Sequence, residues 1–149
     1  MEKIKDFVMN NVIFRNVTAV VLSLIIGGQI NMAILELGMK ILPLPDGVDL
    51  NKIETIAANI DKYTFTHFVN VFLAHGLGTL LAAFICVKLA KSQHFNLAMF
   101  VGFLFLIGGI MAVSMIPAPM TFNIIDLVGA YIPMAWLGYF LANKKPSTN

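Results

Sequence analysis

Residues 96–125 run without a single Asp, Glu, Lys or Arg. A soluble fold of 149 residues cannot hide such a stretch unless something covers it. A bilayer is the simplest cover, and the composition agrees: 12% of the residues are charged, against about 25% in an average soluble domain. A spanning α-helix takes about 20 mostly apolar residues. Windows of that kind lie at 17–42, 68–89, 95–116 and 122–141. Helix-end residues flank each of them: Arg15 and Asn16 before the first, Pro43-Leu44-Pro45-Asp46-Gly47 after it, Lys88 and Lys91 with residues 92–94 between the second and third. Pro117 and Pro119 stop the third window, Thr121 is placed to cap the fourth, and Lys144-Lys145-Pro146 closes it. The fold predicted for residues 1–149 is therefore one all-α domain, an integral membrane four-helix bundle.

Lys3, Lys5 and Arg15 ahead of an apolar run also suit a signal peptide. No small-x-small cleavage pattern follows promptly, so a retained helix is expected. Orientation follows from the basic residues. Lys3, Lys5, Arg15, Lys88, Lys91, Lys144 and Lys145 fall on one side of a four-span chain, and Lys40, Lys52 and Lys62 on the other. The first side is the cytoplasmic one, which makes the chain N-in and C-in. In the outer connector, 43–67, Asn51 and Glu54 have capping-box spacing, and Ile53, Ile56, Ala57 and Ile60 recur at helical period. A short amphipathic helix is expected there, either as a lid or as a connector resting its apolar face on the bundle. Ala74, Gly78 and Ala82, and likewise Gly108 and Ala112, are one turn apart and let helices approach closely.

Ionisable groups inside a span cost at least about 2.5–3.5 kcal/mol near its centre, so they face an interior or serve a function. The first span carries Gln29, Asn31 and Glu36, the second Asn70, His75 and Thr79, and the fourth Asp126 and Tyr131. The third, past Asn96 at its mouth, has only Ser114 and reads as a supporting wall. At 1.5 Å per residue, Glu36, His75 and Asp126 all lie roughly 6–10 Å inside the outer ends of their helices. Meeting in one pocket, two carboxylates could not both ionise unaided. The group would share protons, bind a cation or hold a polar ligand. Each residue also has a plainer reading. Glu36 can snorkel or pair with Lys40, Asp126 can answer its helix dipole, and His75 can hydrogen-bond between helices. Gln29, Asn31 and Asn70 suit helix–helix glue, and His67 an interface.

Glu36, His75 and Asp126 are the only metal-ligand candidates, and no His-Glu-x-x-His, Glu-x-x-His or cysteine cluster supports them. No cofactor is indicated. No serine or cysteine sits in a nucleophile motif, Cys86 has no disulfide partner within the chain, and scattered basic residues argue against nucleic acid. The runs Ala74-His-Gly-Leu-Gly-Thr-Leu-Leu-Ala-Ala83 and Gly108-Gly-Ile through Pro117-Ala-Pro119 to Asp126-Leu and Tyr131-Ile-Pro-Met-Ala-Trp-Leu-Gly138 resemble a group of small bacterial inner-membrane four-span proteins of unassigned function. The resemblance implies a multi-pass protein of the bacterial inner membrane and brings no activity with it. Three functions fit these readings. The first is a binding or permeation module for a proton, cation or small polar ligand, and the second a membrane enzyme acting on a lipid or quinone-like substrate. The third is a structural or assembly subunit. The expected partners are the bilayer and, under the first two readings, further copies of the chain.

Overall fold

The computed structural model describes residues 11–144. Lys3, Lys5 and Lys145, which carry part of the charge-bias argument, lie outside the described residues. Within them the chain is helical without strands, and four helical segments are long and apolar enough to cross a membrane. Helix α1 covers Val12–Ile41, α2 Ile53–Ala58, α3 Phe65–Leu89, α4 His94–Met115, α5 Met120–Gly129 and α6 Ile132–Asn143, with a 3-10 turn at Ile60–Lys62.

Helix α1 starts before the expected residue 17. The Asn11 side chain accepts the Phe14 N–H at 3.0 Å, an N-cap that satisfies one of the orphan donors of the first turn. Arg15 and Asn16 thus sit inside the helix, where they tie it to the α3–α4 turn. The Arg15 guanidinium donates to the Leu89 carbonyl at 3.0 Å, and the Asn16 amide bonds Ser92 Oγ at 3.2 Å and accepts the Lys91 N–H at 3.0 Å. Lys88 Nζ donates to the Ala142 carbonyl at 2.6 Å. These bonds gather Arg15, Lys88 and Lys91 at the end remote from the 42–64 connector.

In that connector the expected capping box is absent. Helix α2 begins after Lys52 without a side-chain cap. The Asn51 N–H instead donates to Asp49 Oδ1 at 2.9 Å, and Thr55 Oγ1 accepts the Asp49 N–H at 2.9 Å. The competing Asx-type turn captures Asn51 before it can reach the helix. The Asn51 N–H, with its amide and Lys52 behind it, holds the Asp49 carboxyl below its ordinary value. A lowered folded pKa gives stability that is present above the unfolded value and lost as pH falls through the folded one. Amide exchange at Asn51 is therefore expected to be slow at neutral pH and to lose its protection below the ordinary aspartate range. Asp49→Ala is expected to lose that protection at every pH, whereas Asp49→Asn, which keeps an acceptor, retains part of it.

Helix α3 is the centre of the packing, touching α1, α4 and α6. Ala74, Gly78, Ala82 and Cys86 recur every fourth residue on it and are fully buried or nearly so. A Cβ on α1 at Gly27 would overlap Ala82, and one on α6 at Gly138 would overlap the Leu80 carbonyl, so small residues set the helix spacing. Large apolar side chains point outward instead: Ile13, Phe65 and Val128 are more than two-thirds exposed. A core of alanine and glycine under a coat of isoleucine and phenylalanine is the inverse of a soluble domain, and it suits a hydrocarbon solvent.

The fourth apolar segment departs most from the expected continuous helix at 122–141. It is broken between α5 and α6 at Ala130–Tyr131, where Tyr131 has φ −115° and ψ −78°. Pro133 causes the break: it has no N–H to offer the Gly129 carbonyl, and its ring crowds that carbonyl. The helix starts on Pro119, so Thr121 lies inside the first turn rather than capping it.

Candidate functional site

The break in the fourth segment builds the site. Asp126 and Tyr131 are five residues apart and on an unbroken helix would point about 140° away from each other. Because α5 ends at Gly129 and α6 restarts at Ile132, both turn inward. Tyr131 Oη donates to Asp126 Oδ2 at 2.9 Å. Opposite them, α3 presents His75, whose Nδ1 lies 3.0 Å from Asp126 Oδ1, 2.9 Å from Oδ2 and 3.0 Å from Tyr131 Oη.

An ionised carboxylate is acceptor-only and cannot face a lone pair at 2.9 Å, so opposite it Nδ1 carries the hydrogen and donates to Asp126. The Asp126 side chain is 4% exposed and the His75 side chain 19%. The carboxylate is thereby sealed from water by the two groups that bond it, while the imidazole keeps one edge open. Among the described residues His75 Nε2 makes no hydrogen bond, yet it is not sealed off. It is the one reactive atom of the trio that is free to meet something else.

Two further contacts bear on the trio. Thr79 Oγ1 donates to the His75 carbonyl at 2.8 Å, one turn back along α3. The hydroxyl end of the Tyr131 ring sits against Gly109 of α4, where any Cβ would overlap the phenol. The third span is thus more than a wall, because only glycine leaves room for the tyrosine. Asn123 sits three residues before Asp126 on the same face of α5, buried, and donates to the Ala118 carbonyl at 3.2 Å.

Above the trio, toward the connector, is a cavity of about 160 Å³. Its wall is apolar apart from His75, Asp126, Asn70, Asn123, His67 and Tyr63. The connector roofs it with Leu44, Leu50, Ile56 and Ile60, so two of the four residues of the expected apolar stripe, Ile56 and Ile60, face the cavity. His67 pins this roof: its Nδ1 accepts the Thr64 N–H at 3.0 Å, which leaves Nε2–H to donate to the Pro43 carbonyl at 3.3 Å. Tyr63 Oη is buried against the cavity without a hydrogen-bond partner among the described residues, and burial pushes its pKa up. A second hollow, a groove of about 410 Å³ between α1 and α4, also reaches His75 and is lined by Asn31, Gly108 and Tyr131.

Of the residues singled out from the sequence, the structure brings together His75, Asp126 and Tyr131, with Thr79 as a brace. Asn70 lines the cavity and donates to the Leu35 carbonyl at 3.3 Å across the α1–α3 contact. Asn31 lines the groove. Gln29 and Glu36 stand apart: both are exposed on the outer face of α1 and line neither hollow. The expected convergence of Glu36 with His75 and Asp126 is corrected on this point. Facing inward, α1 places Leu35 and Met39 at the cavity instead, and Glu36, their neighbour in the helix, is rotated away. No three of His, Cys, Asp and Glu come together among the described residues, so the three-ligand metal set is not assembled. Gly109, Asn123 and Tyr63 were not read as site elements from the sequence. Of these, Asn123 was the most accessible to such reading, since it shares the face of Asp126 at i, i+3.

Comparison with protein-family models, with curated proteins and with solved structures returned no match.

Proposed function

We propose that this chain is a small multi-pass protein of a bacterial inner membrane, N-in and C-in, that binds an amphipathic, membrane-dissolved molecule and holds its polar group against His75. The observation that carries this reading is the pairing of an apolar cavity with one open imidazole nitrogen, Nε2, whose ring is fixed from behind by Asp126 and Tyr131. An apolar wall favours a hydrocarbon body, and a few convergent polar groups fix its orientation. The Nε2 atom accepts a hydroxyl proton when the ring is neutral and donates to oxygen once the ring is protonated. Asp126 stabilises the protonated ring in the second case. The orientation is supported by the bias of basic residues, and the bacterial membrane by the sequence resemblance.

4-Decylphenol serves as a probe, since its phenol can donate to or accept from Nε2 and its chain is the hydrocarbon body that an apolar lining takes. Detergent-purified protein is expected to bind it saturably by isothermal titration calorimetry. His75→Ala is expected to weaken binding about tenfold or more, the equivalent of one strong hydrogen bond in a dry site. The O-methyl ether of the probe should lose a similar factor where the neutral ring is the acceptor. Unchanged affinity in His75→Ala sinks the proposal.

A second reading is favoured by the same Nδ1–Asp126 bond. A carboxylate behind an imidazole whose far nitrogen is open is the arrangement of a general base held in its working orientation. On that reading the bound molecule is a lipid or quinone-like substrate and leaves chemically altered. Recovery of the bound molecule unchanged after prolonged incubation excludes it. The cation-permeation reading loses Glu36, the residue that would have brought a second carboxylate to the site.

A further inference from the structure

We infer that the ligand reaches His75 sideways from within the bilayer, through the groove between α1 and α4, and that it is a single-chain amphiphile whose tail remains in that groove. The inference rests on the binding reading above and adds the route and the ligand class. It starts from the packing. Helix α1 packs on α3, α4 packs on both α3 and α6, and α1 and α4 touch each other sparsely, so the two part over the surface of α3. The space between them is the groove of about 410 Å³, walled by Leu24 and Asn31 of α1 and by Leu104, Phe105 and Gly108 of α4. Gly108 is exposed, and a Cβ there would meet nothing within 4 Å. The groove is therefore open on the side where a spanning helix faces lipid.

His75, Gly109 and Ala112 line both the groove and the cavity, so the two hollows meet at the imidazole. The opposite approach, from the connector end, is roofed by apolar side chains and held by the His67–Pro43 bond. A molecule dissolved in the bilayer thus has a walled path, while one dissolved in water meets a hydrophobic cover. The ligand class follows from the lining. Leu24, Leu104 and Phe105 offer only hydrocarbon contact, which suits one acyl or isoprenoid chain. The polar exceptions are His75, Asn31 and Tyr131; the Tyr131 hydroxyl is engaged by Asp126, whereas His75 Nε2 and the Asn31 amide make no hydrogen bond among the described residues. Both unpaired groups are available to one hydroxyl or carbonyl head.

The test is photo-crosslinking in phosphatidylcholine liposomes, with 4-decylphenol that carries a diazirine at the end of its chain. The tail is expected to label peptides of α1 and α4 around Leu24, Phe105 and Gly108. Labelling there should fall about tenfold in His75→Ala, and again in Gly108→Phe, which fills the groove at a position without neighbours. Labels concentrated on Leu50, Ile56 and Ile60, with dependence on His75 kept, would overturn the lateral route and leave the binding reading standing. Labelling indifferent to His75→Ala overturns both. Should Gly108→Phe fail to fold, as judged by size-exclusion chromatography and circular dichroism, the position of the labels in the unaltered chain decides the question alone.

Discussion

Asp126→Ala is expected to cost about 3 kcal/mol of stability and to abolish binding of the phenol probe. The carboxylate is almost fully enclosed and serves two donors at once, His75 Nδ1–H and Tyr131 Oη–H. Removing it leaves both donors without an acceptor in an interior that water does not reach. Breaking a buried pair by deleting one member costs about 3–5 kcal/mol in soluble proteins. Single hydrogen bonds inside membrane proteins are worth less, about 0.6 kcal/mol on average. The lower end of the first range applies here because two donors are orphaned together and the imidazole also loses its fixed orientation. Asp126→Asn keeps an oxygen for the tyrosine and is expected to cost about 1 kcal/mol. It removes the negative charge behind the ring, so probe affinity should drop even where the fold is retained. An SDS titration in maltoside micelles, followed by circular dichroism, measures the first quantity and calorimetry the second. If Asp126→Ala unfolds at the same SDS fraction as the unaltered chain, the carboxylate is not bonded as described.

The second large effect is expected at Tyr131. It is the largest fully enclosed side chain, with 2% of its surface exposed. Its ring lies against Gly109 while its hydroxyl bridges Asp126 and His75. Two substitutions separate the ring from the hydroxyl. Tyr131→Phe keeps the packing and is expected to cost about 0.6–1.7 kcal/mol, between the average and the largest value measured for hydrogen bonds between membrane helices. Tyr131→Ala removes the ring as well and is expected to cost about 3–5 kcal/mol, as large aromatic deletions do. Both are read from the same SDS titration. A small cost for Tyr131→Ala would mean that the ring is not held between α4 and the break in the fourth segment. Gly109→Ala provides the reciprocal check, since its methyl group would displace the phenol and should cost about 1–3 kcal/mol by overpacking.

These effects share one origin, the interruption of the fourth apolar segment. Unbroken backbone is the rule in hydrocarbon because no water satisfies a freed carbonyl, and broken helices persist where they line a protein interior. Here the break turns Tyr131 toward Asp126 and both toward His75. Pro133 was visible in the sequence, and a proline well inside a 20-residue apolar window is a recognised kink signal. Reading the window by hydropathy alone passed over it, since hydropathy registers how apolar a residue is and not whether it can donate a hydrogen bond.

The helices and the solvent they suit were legible before any folding, because both depend on local quantities: the length of apolar runs, the prolines and lysines that bound them, and the spacing of small residues. The sequence also singled out His75, Asp126 and Tyr131, as polar groups that hydrocarbon penalises stand out in any apolar run. Which of those groups meet was decided only by tertiary structure. Glu36 and Asp126 lie at similar depths, but depth leaves the rotation of each helix about its axis free. The packing of α1 on α3 sends Leu35 and Met39 inward and Glu36 outward, and the kink at Tyr131 sends the phenol inward instead. Depth is a sum along one chain, whereas facing is a property of two helices in contact.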